Sequence, residues 1–298
     1  LRMSRGLGDV YKRQEVLYMK FTKMHGCGND YVYINCFEEK VADPEKLAQA
    51  MSDRHFGIGS DGIVLIMPSE VADCRMRMFN ADGSEAEMCG NASRCVGKYV
   101  YDRGIVKKNP VRLETMCGIK VIEVHTDAEG KAETLTVDMG EPILAPKDIP
   151  VVADSEPVVD LTLSSCGKDF DFTCVSMGNP HAVTFIDTPV KEFEVEKYGP
   201  SLEVDSHFPR KANIEFVEIV DETHLRMRVW ERGTGETLAC GTGTCATVVA
   251  SNIKGICPRV PVEVELVGGK LTIEWKPEDN HVYMTGPATF VFDGVWED

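Results

Sequence analysis

The sequence predicts an α+β fold of two pseudo-symmetric halves, each a mixed β-sheet wrapped around a central helix, with a site in the cleft between them. Three observations predict it. A similar stretch occurs twice, as RMRMFNADGSEAEMCG at 75–90 and RMRVWERGTGETLACG at 226–241. Arg75 aligns with Arg226, Glu85 with Glu236 and Cys89 with Cys240, all at one step (240 − 89 = 151). Strand-like segments outnumber helical ones, and each half carries one apolar helical segment directly after its Cys-Gly.

The repeat extends beyond those stretches. PVRLETMCGIKVIE begins at Pro110 and PVEVELVGGKLTIE at Pro261, again 151 later (261 − 110). GCGNDYVYIN around Asn29 echoes SMGNPHAVTF around Asn179. A period of this length is a duplicated domain rather than a solenoid unit, and a chain of 298 residues has room for two.

The elements follow in order. Residues 1–18 show scattered basic residues and no periodicity, and read as a non-native leader resembling translated adapter sequence. Alternating or β-branched runs predict strands at 19–24, 31–36, 62–67, 75–80, 111–115 and 118–125. Helices are expected at 44–52, where Pro44 follows Asp43 and suits a first turn, and at 90–103. The second half is expected to repeat this with strands near 133–139, 171–177, 181–187, 213–219, 224–231, 261–267, 270–276 and 281–293, and a helix at 241–254. Gly140, Pro142, Pro146 and Pro150 mark a linker near 140–155. The halves are expected to comprise 19–137 plus about 285–298, and 138–284.

Charge and cysteine content exclude several classes. A net charge of −16 repels phosphate backbones, so nucleic acid is not expected as a partner. No apolar run approaches the roughly 20 residues that span a bilayer, so no membrane is expected either. The 11 cysteines are an odd number without a secretory pattern, which points to free thiols in a reducing compartment, the cytoplasm. The Cys89/Cys95 and Cys240/Cys245 spacings do not form paired zinc knuckles, so no metal is expected.

The chemistry is expected at the two helix starts. Cys89 precedes Gly90-Asn91, and Cys240 precedes Gly241-Thr242-Gly243. Small residues at a helix N-terminus expose N–H groups that bind anions and favour thiolate. Such positions lower a cysteine pKa from about 8.5 to roughly 3.5–7.5, and both thiols are expected to be shifted this way. One thiol on each side of a substrate carbon is what a cofactor-free racemase or epimerase needs.

The residues from Met19 to Asp298 resemble diaminopimelate epimerases. The matching strings are KMHGCGNDY at 23–31, RHFGIGSDG at 54–62, FNADGSEAEMCGNASRC at 79–95, VSMGNPHAV at 175–183, ANIEFVE at 212–218 and WERGTGETLACGTGTCA at 230–246. The resemblance implies cofactor-independent epimerisation of LL-2,6-diaminopimelate to the meso form, in lysine biosynthesis, by a homodimer. It implies that Cys89 and Cys240 are the acid/base pair, and that Asn29, Asn80, Asn179 and Asn213 bind substrate. Gly90-Asn91 and Gly241-Thr242 then hold the reacting carboxylate, and Glu231 and Arg232 contact substrate, the arginine pairing with the distal carboxylate. His181 orients a substrate amine or assists a thiol. The chain departs from the family at Gly62, where some members carry a binding glutamine, and at Ala92, where a glycine is common. Proline racemases and hydroxyproline epimerases share the two-cysteine architecture but typically have MCGHG where this chain has MCGNA. Their substrates also lack a second carboxylate. Isomerase relatives of the phenazine-biosynthesis type lack the cysteine pair.

Overall fold

A computed structural model describes residues 18–297. The expected leader falls on residues 1–17, outside that range, except for Tyr18, which opens the first strand opposite Glu297. The first half runs β1 (Tyr18–Gly26), β2 (Asn29–Asn35), α1 (Pro44–Ser52), β3 (Gly62–Met67), β4 (Cys74–Asn80), β5 (Glu85–Ala86), α2 (Gly90–Asp102), β6 (Val111–Thr115), β7 (Gly118–Thr126) and β8 (Ala132–Asp138). The second runs β9 (Leu161–Ser165), β10 (Lys168–Ser176), β11 (Pro180–Phe185), α3 (Val195–Glu203), β12 (Asn213–Asp221), β13 (His224–Glu231), β14 (Gly235–Thr237), α4 (Gly241–Ile253), β15 (Val262–Leu266), β16 (Gly269–Trp275), β17 (Val282–Pro287) and β18 (Thr289–Glu297). The class is α+β, as the patterning predicts.

The repeat governs the topology as well as the sequence. α1 and α3 start 151 residues apart (195 − 44), as do α2 and α4 (241 − 90). β2 pairs parallel with β3, and β11 parallel with β12. Each third member then turns back antiparallel, β3 on β4 and β12 on β13. β18 pairs with β1 in the place that β9 takes beside β10, so the C-terminal strand completes the first half's sheet. The halves join where β8 and β17 pair antiparallel.

α2 and α4 are buried along most of their length; α4 is accordingly small and apolar, whereas α2 is amphipathic and holds Arg94 among its buried residues. One hydrophobic core containing Ala92, Val96, Val248 and Val249 surrounds both. α1 and α3 cover the outer faces over separate cores, with Met51 and Ile63 in one and Phe172 and Phe216 in the other. α1 is capped as its sequence predicts, Asp43 Oδ1 accepting from the Lys46 amide at 3.2 Å. Among the described residues, no helix is long and apolar enough to cross a membrane.

Four elements lie outside the sequence expectations: β5, β9, β14 and α3. The expected single strand at 281–293 is two, divided at Ala288, because β17 pairs with β16 and β8 while β18 crosses to β1.

Candidate active site

The two central helices converge at their N-termini. Cys89 caps α2 and Cys240 caps α4, both in extended backbone. A Cβ added at Gly90 would stand 2.4 Å from Met284 Cε, and one at Gly241 would stand 3.2 Å from Met284 Sδ. Both helix starts therefore rest on one methionine of β17, an approach that glycine permits. Asn91 reaches across the divide, its Nδ2 donating to the Ala239 carbonyl at 3.4 Å.

Strand ends supply the polar residues around these helix starts. Asn29 opens β2; its Oδ1 accepts from Cys89 Sγ and from Asn91 Nδ2, each at 3.4 Å. Its own Nδ2 donates to Asp61 at 2.7 Å, and Arg54 bridges Asp61 to Asp30. Cys240 Sγ accepts from the Gly243 amide at 3.3 Å and meets the Thr242 hydroxyl at 3.5 Å. Asn80 and Glu231 end β4 and β13 at repeat-related positions (80 + 151 = 231). Asn80 donates to Ser84 Oγ at 3.0 Å, and Glu231 accepts from Thr237 Oγ1.

Asn213 opens β12 and is used at both ends of its amide. Its Nδ2 donates to the Pro180 carbonyl at 2.8 Å, and its Oδ1 accepts from the Arg232 amide at 2.9 Å. The Arg232 guanidinium is exposed, and its protein partner is the Arg210 carbonyl at 3.2 Å. His181 is buried, with Nε2 3.0 Å from Asn179 Oδ1 and Nδ1 2.7 Å from Glu215 Oε1. Gly62 pairs with Asn80, and a Cβ there would stand 2.0 Å from the Phe79 carbonyl, so this backbone has no room for the glutamine that some family members carry. No hydrogen bond among the described residues joins Asn80 or Arg232 to either cysteine.

The thiols do not have the lowered pKa expected from the sequence. Burial pushes Cys89 above the ordinary range, against the opposing pull of the Ala92 and Asn91 N–H groups and the Arg94 guanidinium. Burial pushes Cys240 up much further, and Glu231 and Glu215 add to it. The physical reason is desolvation: the loss of water around a buried thiolate outweighs the helix-end donors. Glu231 is also raised, first by burial, then by Glu215 and Asp61, with Thr237 and His181 opposing. The pair must lose one proton to hold a thiolate, and that loss is made harder here. On the acid side, kcat/KM should therefore climb with pH by up to about tenfold per unit between about pH 6 and 8. A flat profile there would show that the thiolate is already formed at neutral pH.

Two residues at the site are absent from the sequence expectations. Arg94 lies under the start of α2 and Glu215 beside the start of α4. The signal available for Glu215 was a carboxylate inside the apolar run ANIEFVE.

A doubled α+β half with a cysteine capping each central helix defines a class of fold shared with amino-acid racemases and epimerases. A hydroxyproline epimerase from Agrobacterium vitis superposes with a TM-score of 0.64 at 15% identity, covering 94% of this chain and 91% of that one. A phenazine-biosynthesis protein of the PhzF family from Bacillus anthracis gives 0.67 at 17% identity, covering 94% and 99%. At such identity these show the fold alone. The family is fixed by sequence: the model of diaminopimelate epimerase matches residues 21–145 and 173–291. The diaminopimelate epimerase of Acetivibrio thermocellus is 61% identical over 93% of this chain and 98% of its own length. That of Methanococcus maripaludis is 57% identical over 93% and 99%. This chain belongs to the diaminopimelate epimerase family and is an isomerase.

Proposed function

We propose that this protein interconverts LL- and meso-2,6-diaminopimelate in lysine biosynthesis, without a cofactor, through a thiolate on one face of the α-carbon and a thiol on the other. The observation that carries the reading is the pair of repeat-related cysteines, each capping one of two helices that converge on Met284. One thiolate takes the α-proton, and the electron pair left on carbon delocalises into the adjacent carboxylate. The opposing thiol then delivers its proton to the other face, leaving thiol and thiolate exchanged. N–H groups at the two helix starts face the charge growing on that carboxylate, and such donors are worth about 3–4 kcal/mol each.

The polar residues divide the substrate between them. Asn29 and Asn91 lie against Cys89, and Thr242 against Cys240; we assign the reacting carboxylate and amine to these, with Gly90 and Gly241 supplying backbone. Asn80, Asn179, Asn213, Glu231 and Arg232 are assigned to the rest of the molecule. Arg232 supports a substrate with two carboxylates, because its guanidinium is exposed and engages a carbonyl rather than an acid. His181, with both ring nitrogens held by protein, is assigned an indirect role through Asn179 and Glu215.

The same reading makes the protein a cytoplasmic homodimer, each subunit comprising the two halves outlined above. A second subunit is supported by β18, which pairs only with β1 among the described residues and exposes Val291, Phe292 and Val295. The proposal is tested by incubating the protein with LL-diaminopimelate and, separately, with L-proline, with no cofactor added. Loss of optical activity should occur with the first alone. Turnover of proline, or dependence on pyridoxal phosphate, would overturn it.

A further inference from the structure

The duplication makes the two cysteines equivalent in backbone, so any chemical difference between them must come from positions where the repeat is broken. Two such positions beside the cysteines carry fully buried charge, Arg94 and Glu215, and Glu231 opposite Asn80 is a third, partly buried one. Arg94 corresponds to Cys245 (94 + 151), and Glu215 corresponds to Val64 (215 − 151). Arg94 is fully buried. Its Nη2 donates to Asn91 Oδ1 at 2.7 Å, Nε to the Pro287 carbonyl at 3.2 Å, and Nη1 reaches Met284 Sδ at 3.3 Å and the Gly90 carbonyl at 3.5 Å. None of these partners is a carboxylate, so a guanidinium charge is held out of water without a fixed counter-ion. A buried cation so placed is costly unless an anion sits near it.

The other side of the site has the opposite sign. Glu215 is fully buried; Oε1 holds His181, and Oε2 has no hydrogen-bond partner among the described residues. A Cβ added at Gly243 would stand 2.6 Å from Glu215 Oε1, while the Gly243 amide is 3.3 Å from Cys240 Sγ. The carboxylate is therefore packed against the turn that caps Cys240.

We propose that Arg94 and Glu215 polarise the site, so that the first proton the pair loses comes from Cys89 while Cys240 keeps its own. This deepens the two-cysteine reading and rests on it. Arg94, one turn into α2, acts on Cys89 by its charge alone: the Asn91 and Asn29 amides lie between them, and Asn29 Oδ1 accepts from the protonated sulfur. The other groups facing Cys89 are Tyr31 and Tyr33 from β2, Cys95 from α2 and Glu231 from β13. Cys240 faces Glu231 from β13 and Glu215 from β12, with His181 of β11 beyond. Glu231 acts on both thiols, leading the charge effects on Cys240 and coming last among those on Cys89, so it works in the same direction as Glu215. Arg94 and Glu215 each favour thiolate on Cys89 rather than Cys240. Both are positioning residues: neither needs to touch the reacting carbon.

The test is the pH dependence of the rate at which each cysteine in the free protein forms a mixed disulfide with a small thiosulfonate reagent, which releases sulfinate, read by peptide mass mapping. The midpoint reports ionisation whatever the access to the sulfur. The Cys89 midpoint should lie below that of Cys240 by roughly 1–3 pH units, the span one nearby charge ordinarily supplies. Glu215→Gln should lower the Cys240 midpoint and leave that of Cys89 in place. Arg94→Met should raise the Cys89 midpoint, and Arg94→Lys should restore most of it. Ultraviolet thiolate absorbance followed as the pH is raised gives a second reading that needs neither reagent nor Arg94 variant: the first step of the pair should be lost in Cys89→Ser and kept in Cys240→Ser. Equal or inverted midpoints, an unmoved Cys240 in Glu215→Gln, or a first step lost with Cys240 instead would each overturn the proposal. These readings use no substrate, so their failure leaves the two-base reaction standing, and failure of that reaction leaves them intact.

Discussion

Cys89→Ala and Cys240→Ala should each lower kcat/KM for LL-diaminopimelate by about 10³-fold or more, with the double variant little worse than either. General acid and base act as a unit, each ordinarily worth 10²–10⁴, so removing one disables the pair. Retained folding is expected, because each change removes a single sulfur atom at a helix cap and neither thiol is part of a disulfide. In deuterated water, product formed in the first turnover should carry deuterium at the inverted carbon, while unreacted substrate stays protonated. A thiol holds a single proton, so the delivered one comes from solvent and not from the carbon just deprotonated. Rapid return of the original proton to product would point to one base swinging between faces. Near-normal turnover in either single variant would remove that cysteine from the mechanism.

Much of the architecture was legible because the chain states it twice. The spacing of Cys89 and Cys240 located both central helices, and Gly90 and Gly241 marked where they could approach. α3 carries Gly199 and Pro200 inside the helix, two residues that weaken any helical pattern in the sequence. Its glycine has a packing cause, since a Cβ there would stand 2.5 Å from Trp230 Cγ. The repeat itself carried the missing signal: α1 starts at Pro44, and the same step lands on Val195 (44 + 151). The split of 281–293 was invisible for a different reason. β17 and β18 are adjacent in sequence but pair with opposite halves, and no local pattern records which partner a strand will find.

The electrostatics failed from sequence in a more instructive way. A cysteine before glycines at a helix start is a good local argument for thiolate, and the N–H donors do act in that direction. What local sequence cannot give is the depth of the site, and burial sets the sign. The same holds for Arg94 and Glu215. Each looks like an ordinary charged residue until the fold shows it enclosed, and the comparison of the two halves shows that its counterpart is uncharged.

Arg232→Lys should weaken the reaction with diaminopimelate by about 30-fold to several thousand-fold in kcat/KM, the equivalent of losing contacts to a charged partner worth about 2–5 kcal/mol. The loss should fall mainly on KM, because the contact is to a carboxylate far from the carbon that changes and is made equally in ground and transition states. A planar guanidinium offers a carboxylate two parallel donors, whereas an ammonium offers a point charge on a flexible stem. The site is arranged to keep that fork available. The Arg232 backbone is pinned by Asn213 Oδ1 at 2.9 Å, and the guanidinium donates to the Arg210 carbonyl, a neutral acceptor that a substrate carboxylate can displace. Asn213→Ala should therefore reproduce part of the defect by freeing the Arg232 backbone, with Arg232 itself intact. If Arg232→Lys left kcat/KM unchanged, the distal carboxylate would have to be read elsewhere. One cationic alternative is Arg54, which already bridges Asp30 and Asp61 and would have to break those pairs to take up a substrate.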